Sequence, residues 1–346
     1  MTNGPNGTHS TTGTKNSTHH SSEYPNIIEA PRVRRRHPSP VPAPRSPSPL
    51  GGTQEGPVQF SAIGLGPRDR APCTVGGMRI RIIDAFTDQP FSGNPAGVLL
   101  LDSFPEDAWL QKVAAEVNLS ETAFAHPLPA GGEADWALRW FTPTTEVDMC
   151  GHATLATAHV LHTTGTASGA VRFATRSGVL GATATADGTI TMDFPTSTLT
   201  PVPVPDGLEK ALGAEVVAVH DTAAHIGDLL VELRDEATVR SLAPDFAALV
   251  DLSSRGVIAT AAAQDPDRGY DFVSRGFFPA VGIDEDPVTG SAHTALAPYW
   301  SARFGRDELT GFQGGARTGL VHTRLRGERT LLTGHAVTVI EGELHA

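Results

Sequence analysis

The chain predicts an α+β protein built from two pseudo-symmetric lobes, and three observations carry that prediction. The first is an internal echo. Arg139-Trp140-Phe141-Thr142-Pro143 leads to Cys150-Gly151-His152-Ala153, and Arg275-Gly276-Phe277-Phe278-Pro279 leads to Thr289-Gly290-Ser291-Ala292. The arginines are offset by 136 residues and the glycines by 139, a difference that one short insertion explains, so the echo marks a duplication facing one cleft. The second is that both halves run through mixed strands and helices in the same order. The third is that no G-x-G-x-x-G follows a strand, which disfavours a parallel dinucleotide-binding fold.

Arg79 to Ala85 and Gly97 to Leu101 read as apolar strands joined by a turn cluster of Pro90, Gly93, Asn94 and Pro95. A helix follows, with Ser103 as N-cap, Pro105, Glu106 and Asp107 in its first turn, Trp109, Leu110, Val113 and Val117 at helical spacing, and Asn118 at its end. Leu119 to Ala125 and Asp135 to Phe141 are strand candidates, and Gly151 to Leu161 is a helix rich in Ala and Leu. The second lobe repeats the order: strand Asp228 to Leu233, helix Ala237 to Leu249, strands Gly256 to Ala261 and Tyr270 to Ser274, helix Gly290 to Phe304. Pro298 should kink that last helix or loosen a turn. Leu331 to Ile340 reads as a final strand. The boundaries that follow are 78–200 for the first lobe, with 331–346 returning to it, and 201–330 for the second.

The first 77 residues stand apart. They are crowded with Ser, Thr, Pro, Gly, Asn and His, with a basic cluster at Arg32 to Arg36, and cannot bury enough apolar surface to offset chain entropy, so a disordered tail is expected there. Met78 opens the first strand-like run and is the expected true start. The tail holds eight Lys or Arg against four Asp or Glu, which leaves −16 on the remaining residues of a chain whose net charge is −12. An acidic body argues against a nucleic-acid partner. Neither a signal-peptide core nor a run of about 18 apolar residues occurs, so a cytoplasmic protein without a membrane partner is expected. With Cys73 and Cys150 as the two cysteines, neither a disulfide framework nor a thiolate zinc site is expected.

Gly151 and Gly290 each open a helix, where free N–H groups and the dipole favour an anion and glycine lets a ligand approach the backbone. Paired across a cleft, they would hold the carboxylate of a small substrate. Glu121, beside Leu119, Ala123 and Phe124, is expected to be partly desolvated and so tuned to take and return a proton. The echo sets Asn118-Leu119-Ser120-Glu121 against Asp251-Leu252-Ser253-Ser254, a carboxylate in one lobe and a hydroxyl in the other. Asp286, nearest the Gly290 loop, is placed to accept hydrogen bonds from a substrate, and His152 to act as a proton relay. His159 and His162 share a helix face without an acid at ligand spacing, so no metal is expected. Cys150 matches Thr289, which cannot replace the second thiol of a two-thiol racemase, so Cys150 reads as a packed residue.

Ile83-Asp84-Ala85-Phe86-Thr87, Gly93-Asn94-Pro95, Asn118-Leu119-Ser120-Glu121, Phe141-Thr142-Pro143, Cys150-Gly151-His152-Ala153-Thr154 and Glu285-Asp286-Pro287-Val288-Thr289-Gly290-Ser291-Ala292 resemble the PhzF-like phenazine-biosynthesis family, which is related to diaminopimelate epimerases and proline racemases. The resemblance spans residues 78–346 in family order. It implies a diaminopimelate-epimerase-like fold, a homodimer, and an isomerase working by acid/base catalysis without metal or cofactor on a small carboxylate resembling trans-2,3-dihydro-3-hydroxyanthranilate. It implies further that Glu121 is the acid/base, that His152, Asp286 and Ser291 bind substrate and assist, and that backbone N–H groups near Gly151 and Gly290 hold its carboxylate. The alternatives are an epimerase, racemase or dehydratase using Cys150, and a non-catalytic small-molecule-binding protein.

Overall fold

The computed structural model describes residues 77–222, 227–253 and 255–346. The expected tail, with Cys73 and the basic cluster, therefore lies outside the described residues, apart from Gly77, and so does Ser254.

The duplication is visible as a strand order. In the first lobe Met78–Ala85 pairs antiparallel with Asn94–Leu100, which runs parallel to Glu121–Pro127, which is antiparallel to Trp136–Phe141. Trp136–Phe141 is parallel to Ala170–Thr175, and Gly178–Ala184 and Ile190–Pro195 follow as an antiparallel meander. The second lobe repeats this sequence of pairings with Val216–Asp221, Asp228–Leu233, Gly256–Ala262, Phe272–Phe278, Glu308–Gly314, Thr318–Arg326 and Arg329–Gly334. Each lobe then hands a strand to the other. Thr200–Val202 pairs with the first strand of the second lobe, and Ala336–Leu344 pairs with the first strand of the first. Ile190–Pro195 also pairs with Arg329–Gly334, so the sheet is continuous across the lobes.

Parallel neighbours need a crossover. In each lobe the second crossover is a long helix, Gly151–Thr163 and Gly290–Phe304. Every residue from Gly151 to Leu161 except His159 is buried, as are Ala292 through Ala297. A helix wrapped on all sides must be apolar all round and small enough for the sheet to close on it, which explains the Ala, Gly and Thr content. Thr154 and Thr157 satisfy their hydroxyls on the carbonyls of Cys150 and Ala153 at 2.6 and 2.8 Å.

The arginines of the echo do the same work in both lobes. Arg139 forks onto Glu146 at 2.7 and 2.6 Å, and Arg275 forks onto Glu285 at 2.7 Å on both arms. Each ties the fourth strand of its lobe to the short strand that leads to the central helix. Bidentate geometry is what arginine supplies and lysine cannot.

Several elements depart from expectation. The first helix is Asp107–Val117 with Glu106 at its N-cap, not Ser103, and Asn118 ends it in the left-handed conformation at φ 52°. The helix expected from Ala237 to Leu249 is two pieces, Glu236–Ser241 and Phe246–Leu249. Pro244 breaks it, since proline cannot donate and biases the preceding residue away from helix. Pro298 does not break the Gly290 helix. The Thr294 carbonyl that it deprives of a donor accepts the Ser197 N–H at 3.1 Å, and the two hydroxyls meet at 2.7 Å. The expected strand Leu331 to Ile340 is divided at His335 into two strands with different partners. Among the described residues no helix is long and apolar enough to cross a membrane.

The partly buried Arg275–Glu285 pair yields a stability test. Arg275→Leu leaves a carboxylate unpaired and should cost about 3 kcal/mol in denaturant unfolding. Adding Glu285→Leu should recover most of that loss; no recovery would mean that the ion pair is not what the arginine contributes.

Candidate active site

The two central helices meet at their first residues. A Cβ added to Gly151 would stand 3.0 Å from Gly290 Cα, and one added to Gly290 would stand 3.0 Å from Gly151 Cα. The N-caps, Cys150 and Thr289, are extended, and neither side chain caps its own helix. First-turn N–H groups are therefore left to other partners.

Beside this contact lies a cavity of about 630 Å³ whose wall includes Glu121, Gly151, His152, Asp286, Gly290 and Ser291. The first three come from one lobe and the last three from the other. Glu121 is the first residue of its strand, and its side chain is 12% exposed. Glu121 Oε2 and His152 Nε2 are 3.3 Å apart but not aligned as a hydrogen bond, so both are buried polar atoms without a hydrogen-bonding partner among the described residues.

Burial pushes the Glu121 carboxyl above its ordinary range, the charge of Asp286 pushes it further, and Arg255 draws it partly back. Burial likewise raises Asp286, against hydrogen bonds from Thr289 and Asn94. His152 is pushed down to about 3 by burial and is neutral at physiological pH. Its tautomer follows from its neighbours. Nδ1 lies 3.2 Å from the Asn94 amide nitrogen and 3.5 Å from the Cys150 sulfur. The Asn94 orientation is set by two acceptors, Asp286 Oδ1 at 2.7 Å and the Val288 carbonyl at 2.9 Å. Both Asn94 hydrogens are thereby used, and Nδ1 is left to accept from Cys150, which burial keeps as a thiol, so the ring proton sits on Nε2.

Glu121, Cys150 and His152 offer three potential ligand atoms within 4.8 Å of one another. A protonated Nε2 has no lone pair to offer a metal beside Glu121, which suits proton transfer better than ligation. Burial lifts the Cys150 thiol well above its ordinary range, and the charge of Glu121 adds to this. His159 turns to the Thr338 hydroxyl at 3.0 Å, away from the cavity.

Sequence reasoning missed two side chains at the site. Asn94 was read as a turn residue, yet it reaches across the lobes to Asp286. Asp286 is completed by the Thr289 hydroxyl at 2.5 Å, and Thr289 is braced by Gln313 at 2.9 Å. The second is Arg255. Arg139 pairs with Phe124 and Arg275 with Ala259, and stepping back three residues along each strand sets Glu121 against Gly256. The counterpart that the alignment of motifs assigned, Ser254, is outside the described residues, and the strand register differs from that assignment. Arg255 directly precedes Gly256, lines the cavity and donates to Ser291 Oγ at 3.0 Å.

This is the diaminopimelate-epimerase-like α+β fold, two lobes each curved about a central helix with the candidate site between the helix starts. A family model described as "Phenazine biosynthesis-like protein" matches residues 83–342. An uncharacterized isomerase of Pseudomonas aeruginosa is 51% identical over 264 residues, covering 76% of this chain and 97% of its own length. Another from Halalkalibacterium halodurans is 43% identical over 268 residues, covering 77% and 97%. The crystal structure of a PhzF-family phenazine biosynthesis protein from Enterococcus faecalis superposes with a TM-score of 0.72 at 39% identity, over 78% of this chain and 100% of that one. The chain belongs to the phenazine biosynthesis-like, or PhzF, family.

Two outcomes follow from the geometry. Gly290→Ala must part the helices by a few tenths of an ångström; the gain in helix propensity, about 1 kcal/mol, should mask the strain in unfolding experiments, while turnover falls about tenfold or more. Unchanged turnover would show that the close approach is not needed. The second concerns pH. A carboxyl whose folded value lies above the ordinary 4.5 stabilises fully below that value, and the contribution is lost as pH rises through the folded value. Glu121→Gln should therefore match the parent in stability near pH 4 and exceed it by on the order of 1–2 kcal/mol near pH 9. Parallel stability curves would place Glu121 in water.

Proposed function

We propose that the protein is a metal- and cofactor-independent isomerase that moves a proton between carbons of a small carboxylate, of the trans-2,3-dihydro-3-hydroxyanthranilate type. The observation that carries this reading is the buried Glu121–His152 pair, a carboxylate oxygen and an imidazole nitrogen 3.3 Å apart on a cavity wall without other partners among the described residues. The isomerase names of its relatives support the same class.

In this reading the substrate carboxylate lies against the N–H groups at Gly151 and Gly290. The Glu121 carboxylate takes a proton from one carbon, and the electron pair moves into the adjoining double bond. Glu121, now protonated, delivers the proton to the carbon at the far end of that system. Nothing is oxidised, and proton and electrons balance within the substrate. A raised carboxyl suits both halves of this cycle, because a group titrating near working pH can take and give a proton. His152 Nε2–H steadies the carboxylate form of Glu121 between transfers, and Ser291 and Asp286 orient the substrate. A two-base scheme through Cys150 is less well supported, given a buried thiol raised further by Glu121.

Turnover of the dihydro-hydroxyanthranilate in deuterated water tests the proposal. Deuterium should appear at the receiving carbon, and Glu121→Gln should lose on the order of 100- to 10,000-fold in rate. Full activity in that variant, or full loss on Cys150→Ala alone, would shift the chemistry to another group.

A further inference from the structure

Arg255 is the strongest feature that the proton-transfer scheme leaves without a role. Its guanidinium is clamped before any ligand arrives. Asp228, whose side chain is fully buried, takes Nε at 2.8 Å and also receives Nη2. Nη2 is shared with Ser291 Oγ at 3.0 Å, and the plane stands 5.0 Å from the Phe278 ring centroid. The side chain keeps 27% of its surface exposed, and Nη1 has no hydrogen-bond acceptor among the described residues. Arg329 also lines the cavity but lies at 44% exposure and is tied to Asp193 at 2.8 Å.

We propose that Arg255 is the charge-selecting residue of this site: together with Ser291 and the start of the Gly290 helix it forms a cradle that admits planar carboxylates and rejects neutral isosteres. The proposal rests on the isomerase reading for the location of substrate and extends it to specificity. Three features of the cradle argue for it. Arginine presents a rigid fork matched to a carboxylate, and its clamping by Asp228 means that little freedom is lost on binding. By donating to Ser291 Oγ, Arg255 occupies one lone pair of that hydroxyl and turns its hydrogen outward, so the serine becomes a directed donor. Ser291 belongs to the first turn of a helix whose N-cap side chain caps nothing, so N–H groups and guanidinium converge on one place.

The register gives the cradle its logic. The lobe that carries Glu121 at the start of its third strand faces a lobe that carries Arg255 immediately before the equivalent position. A carboxylate alone in this cavity would repel an anionic substrate already crowded by Asp286. A fixed cation on the opposite wall removes that conflict and holds the substrate where Glu121 can reach it.

Benzoate and benzamide, identical in shape and different in charge, are the probes, with binding to the full chain followed by ligand-observed NMR. Arg255→Gln alone strands the buried Asp228 charge and risks unfolding, so the informative variant is the neutral pair Asp228→Asn with Arg255→Gln, which removes both charges together and leaves an amide pair. The unaltered protein should prefer benzoate on the order of 10- to 100-fold, the range for a hydrogen bond to a charged group, and the double variant should bind the two alike. Arg329→Gln should retain the preference. The proposal is overturned if the unaltered protein binds no benzoate or does not prefer it, if the double variant keeps the preference, or if Arg329→Gln abolishes it. Glu121→Gln separates this from the isomerase reading: it should end turnover yet leave benzoate binding intact, so the failure of either shows independently.

Discussion

The abutment of Gly151 on Gly290 is the constraint from which the rest follows. Two helices cannot meet start to start with side chains between them, and each glycine already stands at the limit of what the other's backbone permits. The arrangement also sets two positive dipole ends side by side, each worth roughly half an elementary charge. That is unfavourable alone, and it is relieved by negative groups placed around it. Asp286 is held there by the Thr289 hydroxyl and the Asn94 amide, and Glu121 stands on the cavity wall. The anionic substrate of the proposed reaction would add to that neutralisation.

Duplication supplies the shell, and departures from it supply the chemistry. The strand pairings repeat without exception, the two arginines of the echo fork onto equivalent glutamates, and Cys150 and Thr289 stand at the N-cap positions of equivalent helices. At the cavity the copies part company. Glu121 stands where the other lobe has Gly256, and Arg255 stands where the first has Ser120. A symmetric pair of groups would shuttle a proton across a mirror plane, as in a racemase. One carboxylate facing a guanidinium instead fits the proposed isomerisation, in which one group takes and returns the proton.

The parts of this structure that were legible in the sequence are those governed by local chemistry. Glycine at a helix start followed by Ala, Leu and Thr defines the Gly151 and Gly290 helices to the residue at their beginnings, and those same motifs carry the family resemblance. What was illegible depends on register or on distant partners. Pro244 and Pro298 look alike in sequence; one divides a helix and the other does not, because Ser197, 101 residues before Pro298, gives the Thr294 carbonyl the donor that Pro298 lacks. Arg255 carries no local signal at all. Aligning the lobes by motif placed Ser254 opposite Glu121, and only the pairing of strands moves the equivalence by two positions and brings the arginine into view.

The burial of Glu121 has a thermodynamic meaning apart from catalysis. A buried carboxyl displaced above its ordinary value weakens the folded state at any pH where it must ionise. The fold tolerates this because neighbouring buried charges are satisfied: Asp286 by two donors, the Thr289 hydroxyl and the Asn94 amide, and Asp228 by a bidentate guanidinium. Glu121 is left as the unsatisfied group, next to an imidazole that burial keeps neutral. Were His152 charged, it would pair with Glu121 as a salt bridge and pull the carboxyl back down, and the base would be too weak to take a proton from carbon. In the proposed isomerase, keeping the imidazole uncharged is therefore as much a part of proton transfer as raising the carboxyl, and burial contributes to both.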